Sequence, residues 1–322
     1  MKPLLIILDD WEGRISNSSC WNRLTDIVEI KFVNEPIAKI SNSEIEHAEF
    51  LMAIRERTPL TEQVFSRLPQ LKLILQTGGH AYHIDKEAAR RHGIAVALGR
   101  RGKAPLVSVP ELTFAMILGV LHLLPQAHSA MHAGQWPLLT GRTLSNRRLG
   151  ILGMGRYGSR VAQIATTAFN MNVVAWDRPE GSHGSSEAIA RLPLDQVLET
   201  SDVVSIHLRL SKESTGLMNA ERLQKMKQGA ILINTARGAI VDENALAEAL
   251  AKGPLAGAGL DVFTHEPLAA DSPFRSLENV ILTPHIGWTV EEVFEEFAQI
   301  ACSQLSEYLH GTLPASDLLP LV

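Results

Sequence analysis

Two cysteines, Cys20 and Cys302, are all that 322 residues contain. Two thiols cannot build a disulfide framework or a cysteine-rich metal cluster, and so low a count suits a reducing compartment. Positive charge is also short. Thirty Lys and Arg stand against 35 Asp and Glu, a formal net charge of −5. A nucleic-acid partner needs a basic surface, so this balance argues against one. Long apolar runs are missing as well. The longest, Leu112 to Leu124, contains His122 and is too short to span a bilayer. The run from Lys2 to Leu8 is too short for a signal peptide and reads as a strand. No internal repeat or low-complexity tract stands out, and neither does a metal-spaced cluster or the placed nucleophile of a hydrolase. The expectation is a cytoplasmic protein without a metal site, with neither nucleic acid nor membrane as partner.

What is present is a globular balance of 45% hydrophobic and 20% charged residues, in a chain long enough for two domains. One stretch organises it: Arg148-Leu149-Gly150-Ile151-Leu152-Gly153-Met154-Gly155-Arg156-Tyr157-Gly158. A short buried strand, Arg148 to Leu152, runs into a glycine turn that opens a helix over Arg156 to Phe169. Gly153 allows the sharp turn, Gly155 lets a pyrophosphate approach the backbone, and Gly158 lets helix and strand pack closely. The helix then points its N–H groups and positive end at the phosphates. A second strand, Asn172 to Trp176, ends in Asp177, 19 residues after Gly158. A carboxylate there is placed to accept hydrogen bonds from the adenine ribose hydroxyls and to repel a 2′-phosphate, which favours NAD over NADP. Arg178 beside it is a cation of the kind that welcomes that phosphate.

Residues 1–104 alternate strands and helices, with buried strands expected at 3–8, 28–33, 50–54, 73–76 and 94–97. No glycine fingerprint follows the early strands, so this half is not expected to hold the dinucleotide. The turn Thr77-Gly78-Gly79-His80 either presents backbone N–H groups to an anion or is a plain turn. The basic run Gly99-Arg100-Arg101-Gly102-Lys103 is either a solvated loop or a contact for an acidic substrate group. Pro110 is expected to start a helix over Glu111 to Leu124. A second helix follows over Pro125 to Gly134, and Trp136-Pro137 marks a candidate boundary. Strands are then expected at 147–152, 172–176, 203–207, 230–234, 257–261 and 279–282, a six-stranded doubly wound sheet. A last helix follows Thr289, ends at Gly311 and is expected to cross back to the first domain.

Three motifs follow the late strands: Asn234-Thr235-Ala236-Arg237-Gly238; Gly259 to Phe263 with Glu266-Pro267; and Thr283-Pro284-His285-Ile286-Gly287. Ligands of a doubly wound sheet bind outside the carboxyl ends of its strands, so Arg237, Glu266 and His285 are candidates to converge there. These residue types suit hydride transfer between a 2-hydroxy acid and a 2-oxo acid. The carboxylate needs a planar, permanently charged fork, which arginine supplies. The carbonyl needs a proton donor near neutral pH, which histidine supplies. A carboxylate behind the histidine orients it and favours its protonated form.

On these motifs the chain resembles the D-isomer-specific 2-hydroxyacid dehydrogenase family over nearly its whole length. That family includes phosphoglycerate dehydrogenases, hydroxypyruvate and glyoxylate reductases, D-lactate dehydrogenases and formate dehydrogenases. The resemblance implies an α/β fold of two doubly wound parallel-sheet domains. A flavodoxin-like substrate domain would take residues 1–104 and 289–322. A Rossmann NAD-binding domain with the interdomain helix would take 105–288. It implies that Arg237 binds the substrate carboxylate and that His285, paired with Glu266, is the acid/base. Arg156 and Tyr157 would lie at the pyrophosphate, Asp177 at the ribose, and Leu208, Thr235 and Ala236 along the cofactor. Asp261 would hold the nicotinamide carboxamide, with Gly287 and Trp288 bordering the ring. Gly78 and Gly79 match the family's substrate loop, whose amides help bind the carboxylate. A homodimer built around the nucleotide domains is implied too. Departures fall on the substrate side: Arg209 stands where the family often has Pro, His80, Tyr82 and His83 occupy the substrate loop, and Trp288 replaces a small residue. Glu266 argues against the formate dehydrogenase branch, where Gln is typical. The same fold also serves NAD(H)-sensing interaction proteins of corepressor type, which is the alternative reading.

Overall fold

The computed structural model describes residues 2–177 and 189–320, so Arg178 lies outside the described residues. The chain divides into two compact units, Met1–Ala104 with Val290–Val322, and Pro105–Thr289.

The first unit is built on β1 (Leu4–Leu8), β2 (Glu29–Val33), β3 (Ala48–Ala53), β4 (Leu73–Gln76) and β5 (Ala95–Leu98). All pair in parallel in the order β2-β1-β3-β4-β5, the flavodoxin-like order. Leu5, Ile7, Leu51, Leu73 and Ile74 are fully buried because a parallel sheet is covered on both faces. The C-terminal helix Glu291–Leu309 belongs to this unit. The Cys302 thiol donates to the Cys20 carbonyl at 3.1 Å, and the Gln304 amide donates to Leu98 O at 2.9 Å. Both cysteines are free thiols.

The basic run turns out to be a brace. Arg100 is clasped by Glu307 and by Asp317 (Nε–Oδ2 2.8 Å), and the backbone N–H of Lys103 donates to Glu296 at 2.7 Å. Arg100 thus ties the loop after β5 to the C-terminal segment, a role that neither the solvated-loop nor the substrate-contact alternative gave it. The acidic partners come from more than 200 residues further along the chain, out of reach of any local pattern.

The second unit carries β6 (Arg148–Leu152), β7 (Asn172–Trp176), β8 (Ala190–Arg191), β9 (Val203–Ile206), β10 (Ile231–Asn234), β11 (Gly257–Leu260) and β12 (Val280–Leu282). They form one parallel sheet in the order β12-β11-β10-β9-β6-β7-β8, the doubly wound dinucleotide-binding order, which reverses between β6 and β9. Among the described residues the sheet has seven strands where six were expected. The extra strand, β8, is two exposed residues paired with Val174 and Ala175, too short for any periodicity to announce it. The helix expected from Glu111 starts earlier, at Pro105, and holds Pro110 inside it. Burial of Ser108, Pro110, Thr113 and Phe114 outweighs the one hydrogen bond that Pro110 forfeits. Trp136-Pro137 lies within this unit and marks no boundary.

Candidate active site

The glycine turn after β6 is shaped by close approach. Gly153 has φ +101°, and a Cβ there would lie 2.9 Å from the His207 carbonyl oxygen and from Leu208 Cδ2. A Cβ on Gly158 would meet the Gly153 oxygen at 2.0 Å, so only glycine lets helix Arg156–Phe169 sit this close to β6. Gly155 is the opposite case: nothing lies within 4 Å of the position a Cβ would take. Among the described residues no side chain caps the helix. An open backbone at Gly155 and an uncapped positive helix end, with Arg156 and Tyr157 as its first residues, fit a dinucleotide pyrophosphate.

At the tip of β7, Asp177 accepts the Met154 N–H on Oδ1 at 2.5 Å and Arg191 Nε on Oδ2 at 2.9 Å. It is therefore bound both to the glycine turn and to β8. After β9, Leu208 is buried beside Gly153, while Arg209 is exposed. The His207 ring bonds Ser205 Oγ at 2.9 Å, and burial pushes it down to about 4. It is neutral at physiological pH and a poor proton donor.

The loop after β10 is held by Asn234, whose Oδ1 accepts the Ala236 N–H and whose Nδ2 donates to Arg237 O, both at 3.0 Å. Thr235 Oγ1 lies 3.1 Å from Thr113 Oγ1. Gly238 packs so closely on the loop after β11 that a Cβ would fall 1.9 Å from the Phe263 carbonyl carbon. Arg237 and Glu266 are brought together by that contact. Glu266 Oε1 accepts the Phe263 N–H at 2.9 Å and Oε2 bonds His285 Nδ1 at 2.7 Å. Burial raises the Glu266 carboxyl. The His285 bond and charge, the Phe263 N–H and the Arg237 charge outweigh it, and the group ends below the ordinary carboxylate range.

His285 has a left-handed backbone, φ +56°, on the loop after β12. Asp261 holds it there. This side chain, 1% exposed, accepts Thr283 Oγ1 at 2.5 Å, the Ile286 N–H at 2.8 Å and the Gly287 N–H at 2.9 Å. Burial raises its pKa against the pull of those three donors. The bonds fix both sides of His285 and sustain the uncommon backbone conformation. Nothing in the sequence motif pointed to this strut: the Thr283 and Asp261 bond joins the residues that follow two adjacent strands, β12 and β11. Gly287 is buried against Asp261, and Trp288 follows it half-buried.

Gly78 and Gly79 lie in the first unit, after β4. Gly78 has φ +86°, and a Cβ there would be 2.6 Å from Arg55 Nη1. Arg55 itself has φ +56° and a guanidinium beside Glu56 (Nε–Oε2 3.5 Å), while Glu56 also meets His80 Nδ1 at 2.8 Å. His80 stacks on Tyr82 at 4.9 Å. Arg55 and Glu56 were not singled out from sequence. Arg55's left-handed backbone would have flagged it, and that is visible only in three dimensions.

Residues 114–287 match the family model described as "D-isomer specific 2-hydroxyacid dehydrogenase, NAD binding domain". The chain belongs to the D-isomer specific 2-hydroxyacid dehydrogenase family. It is 31% identical to a hydroxypyruvate reductase from Blautia hydrogenotrophica over 317 residues, covering 94% of this chain and 93% of the relative. It is 34% identical to a D-3-phosphoglycerate dehydrogenase from Bacillus subtilis, covering 95% of this chain and 58% of that longer protein. Among solved structures, the D-lactate dehydrogenase from Aquifex aeolicus complexed with NAD and lactic acid is similar at 29% identity. Its TM-score is 0.79, with 96% of both chains covered. As a family member this dehydrogenase interconverts 2-hydroxy acids and 2-oxo acids with NAD as cofactor. These relatives are reductases and dehydrogenases, and none supports the corepressor alternative.

Proposed function

We propose that this dehydrogenase reduces a small 2-oxo acid to its D-2-hydroxy acid, or runs the reverse, with Arg237, Glu266 and His285 as its catalytic group. The observation that carries the reading is the 2.7 Å His285–Glu266 pair, with the Arg237 charge acting on the same carboxylate. When bound, the nicotinamide supplies the hydride that reaches the carbonyl carbon. Arg237 binds the substrate carboxylate and polarises the carbonyl. Glu266 occupies His285 Nδ1, which leaves Nε2 to give its proton to the carbonyl oxygen and to take it back in the oxidative direction. The glycine turn with Arg156 and Tyr157 holds the pyrophosphate, and Asp177 the adenine ribose. Leu208, Thr235, Ala236, Asp261, Gly287 and Trp288 line the rest of the cofactor. The amides of Gly78 and Gly79 assist with the substrate carboxylate, as the family resemblance implies. Hydroxypyruvate and glyoxylate are the first substrates to test, since the relatives carry those names.

The test is NADH oxidation at 340 nm by the purified protein against 2-oxo acids of graded size. Saturable turnover on one or a few of them is the expected result. Tight NADH binding with no turnover across the panel would sink the reading.

We also infer a cytoplasmic homodimer with no nucleic acid or membrane partner. No single helix among the described residues is long and apolar enough to cross a membrane. The dimer reading is supported by helix Leu124–His132, which buries no residue, and by exposed Leu124, Met131, Trp136, Leu138 and Leu139 in the same stretch. So many exposed apolar side chains in one segment are characteristic of an interface. Light scattering should give twice the 35.3 kDa chain mass, and Trp136→Glu with Leu138→Glu should shift the protein toward monomer. A monomeric wild type would refute it.

A further inference from the structure

We propose that Arg191 is a second determinant of cofactor choice: it neutralises Asp177 and lets this site take NADPH beside NADH. The inference rests on Asp177 being the ribose-binding residue. A lone carboxylate at the tip of β7 discriminates in two ways. It accepts hydrogen bonds from ribose hydroxyls, and its charge repels a 2′-phosphate. Here the carboxylate is not alone. Arg191 Nε donates to Asp177 Oδ2 at 2.9 Å, and Arg191 Nη1 donates to the Ile189 carbonyl at 3.0 Å. The other oxygen, Oδ1, is held by the Met154 N–H at 2.5 Å. The Asp177 side chain is only 11% exposed, so water screens this pair poorly, while Arg191 keeps 30% of its surface exposed.

Three consequences follow. The pair carries no net charge, so the repulsion that would exclude a 2′-phosphate is largely cancelled. The outer oxygen of Asp177 is shared with a guanidinium, so a ribose hydroxyl gains less from it. And a planar cation suited to phosphate is bonded to the very carboxylate to which the ribose hydroxyls are assigned. The feature is a product of β8, the short edge strand that pairs with Val174 and Ala175 and sets Arg191 beside the β7 tip. Nothing in the spacing from Gly158 to Asp177 announces it.

The test measures binding, independent of turnover. NADH and NADPH are titrated against the purified protein by calorimetry, with wild type, Arg191→Ala, Arg178→Ala and Asp177→Asn compared. Wild type should bind both nucleotides. Arg191→Ala should weaken NADPH by ~10–100-fold, the worth of a hydrogen bond to a charged group, and leave NADH unchanged or tighter. Retained NADH binding shows that the variant is folded. Asp177→Asn should improve NADPH and weaken NADH. If wild type binds NADH but not NADPH, or if the NADPH loss follows Arg178→Ala instead, the proposal is overturned while the ribose assignment stands. If Asp177→Asn changes neither nucleotide, the ribose assignment falls, and the proposal with it.

Discussion

Alanine at His285 is expected to cut kcat by ~10²–10⁴-fold, the range that a positioned acid/base contributes, while NADH binding persists. The reason is local. At the ends of the late strands His285 is bonded to the Glu266 carboxylate, whereas His207 is held neutral by burial. Arg237→Lys should also fail to restore turnover after loss of the fork, because a point charge cannot match a carboxylate with two parallel bonds. Single-turnover kinetics with NADH fluorescence as a binding control separates the two effects. Turnover near wild type in His285→Ala would remove it from the mechanism. The pair also predicts a pH limb. The Glu266 carboxyl lies below its ordinary value in the folded protein. Its contribution is therefore complete above the ordinary carboxylate pKa of about 4.3 and is lost only as the pH falls through the lower folded value. Glu266→Gln should make the acid-side fall in a profile of melting temperature against pH shallower, the remainder coming from other lowered carboxylates such as Asp202.

Gly238→Ala is expected to damage catalysis although it touches no reacting atom. A Cβ at this position would lie 1.9 Å from Phe263 C and 2.3 Å from Thr264 N, both backbone atoms that cannot rotate away. The loops after β10 and β11 must part. Arg237 precedes the glycine, and Glu266 stands three residues past Phe263, bonded to its N–H. A misplacement of about 1 Å between catalytic groups costs ~10²-fold, so kcat/KM should fall at least that far. Overpacking of this kind also destabilises by ~1–3 kcal/mol, which a melting curve detects. Wild-type kcat/KM in Gly238→Ala would show that the two loops do not have to touch for the site to work.

The divided reach of the sequence follows from these same residues. Strands such as Leu73 to Gln76 and Asn172 to Trp176 were legible because buried parallel strands are short apolar runs bounded by turns. The helix over Arg156 to Phe169 was legible because the glycine turn defines where it starts. β8 was invisible, since two residues carry no period. The true start of helix Pro105–Leu121 was hidden because local proline chemistry argued for a start at Pro110, and burial overrode it. Arg100 read as a free cation until its acidic partners arrived from the C-terminal segment.

What the amino-acid sequence determined by itself was the class of machine. Glycine spacing, an acidic strand tip, and an arginine, a glutamate and a histidine after successive late strands are local statements of chemistry, and each is written within a few residues. Tertiary structure decided how those groups act. It pairs Glu266 with His285, sets Asp261 under the His285 loop, presses Gly238 onto Phe263 and lays Arg191 against Asp177. Each of these contacts joins segments from neighbouring strand ends. Only the order in which a parallel sheet stacks its strands brings them within hydrogen-bonding distance, and that order is a property of the packed core rather than of any stretch of chain.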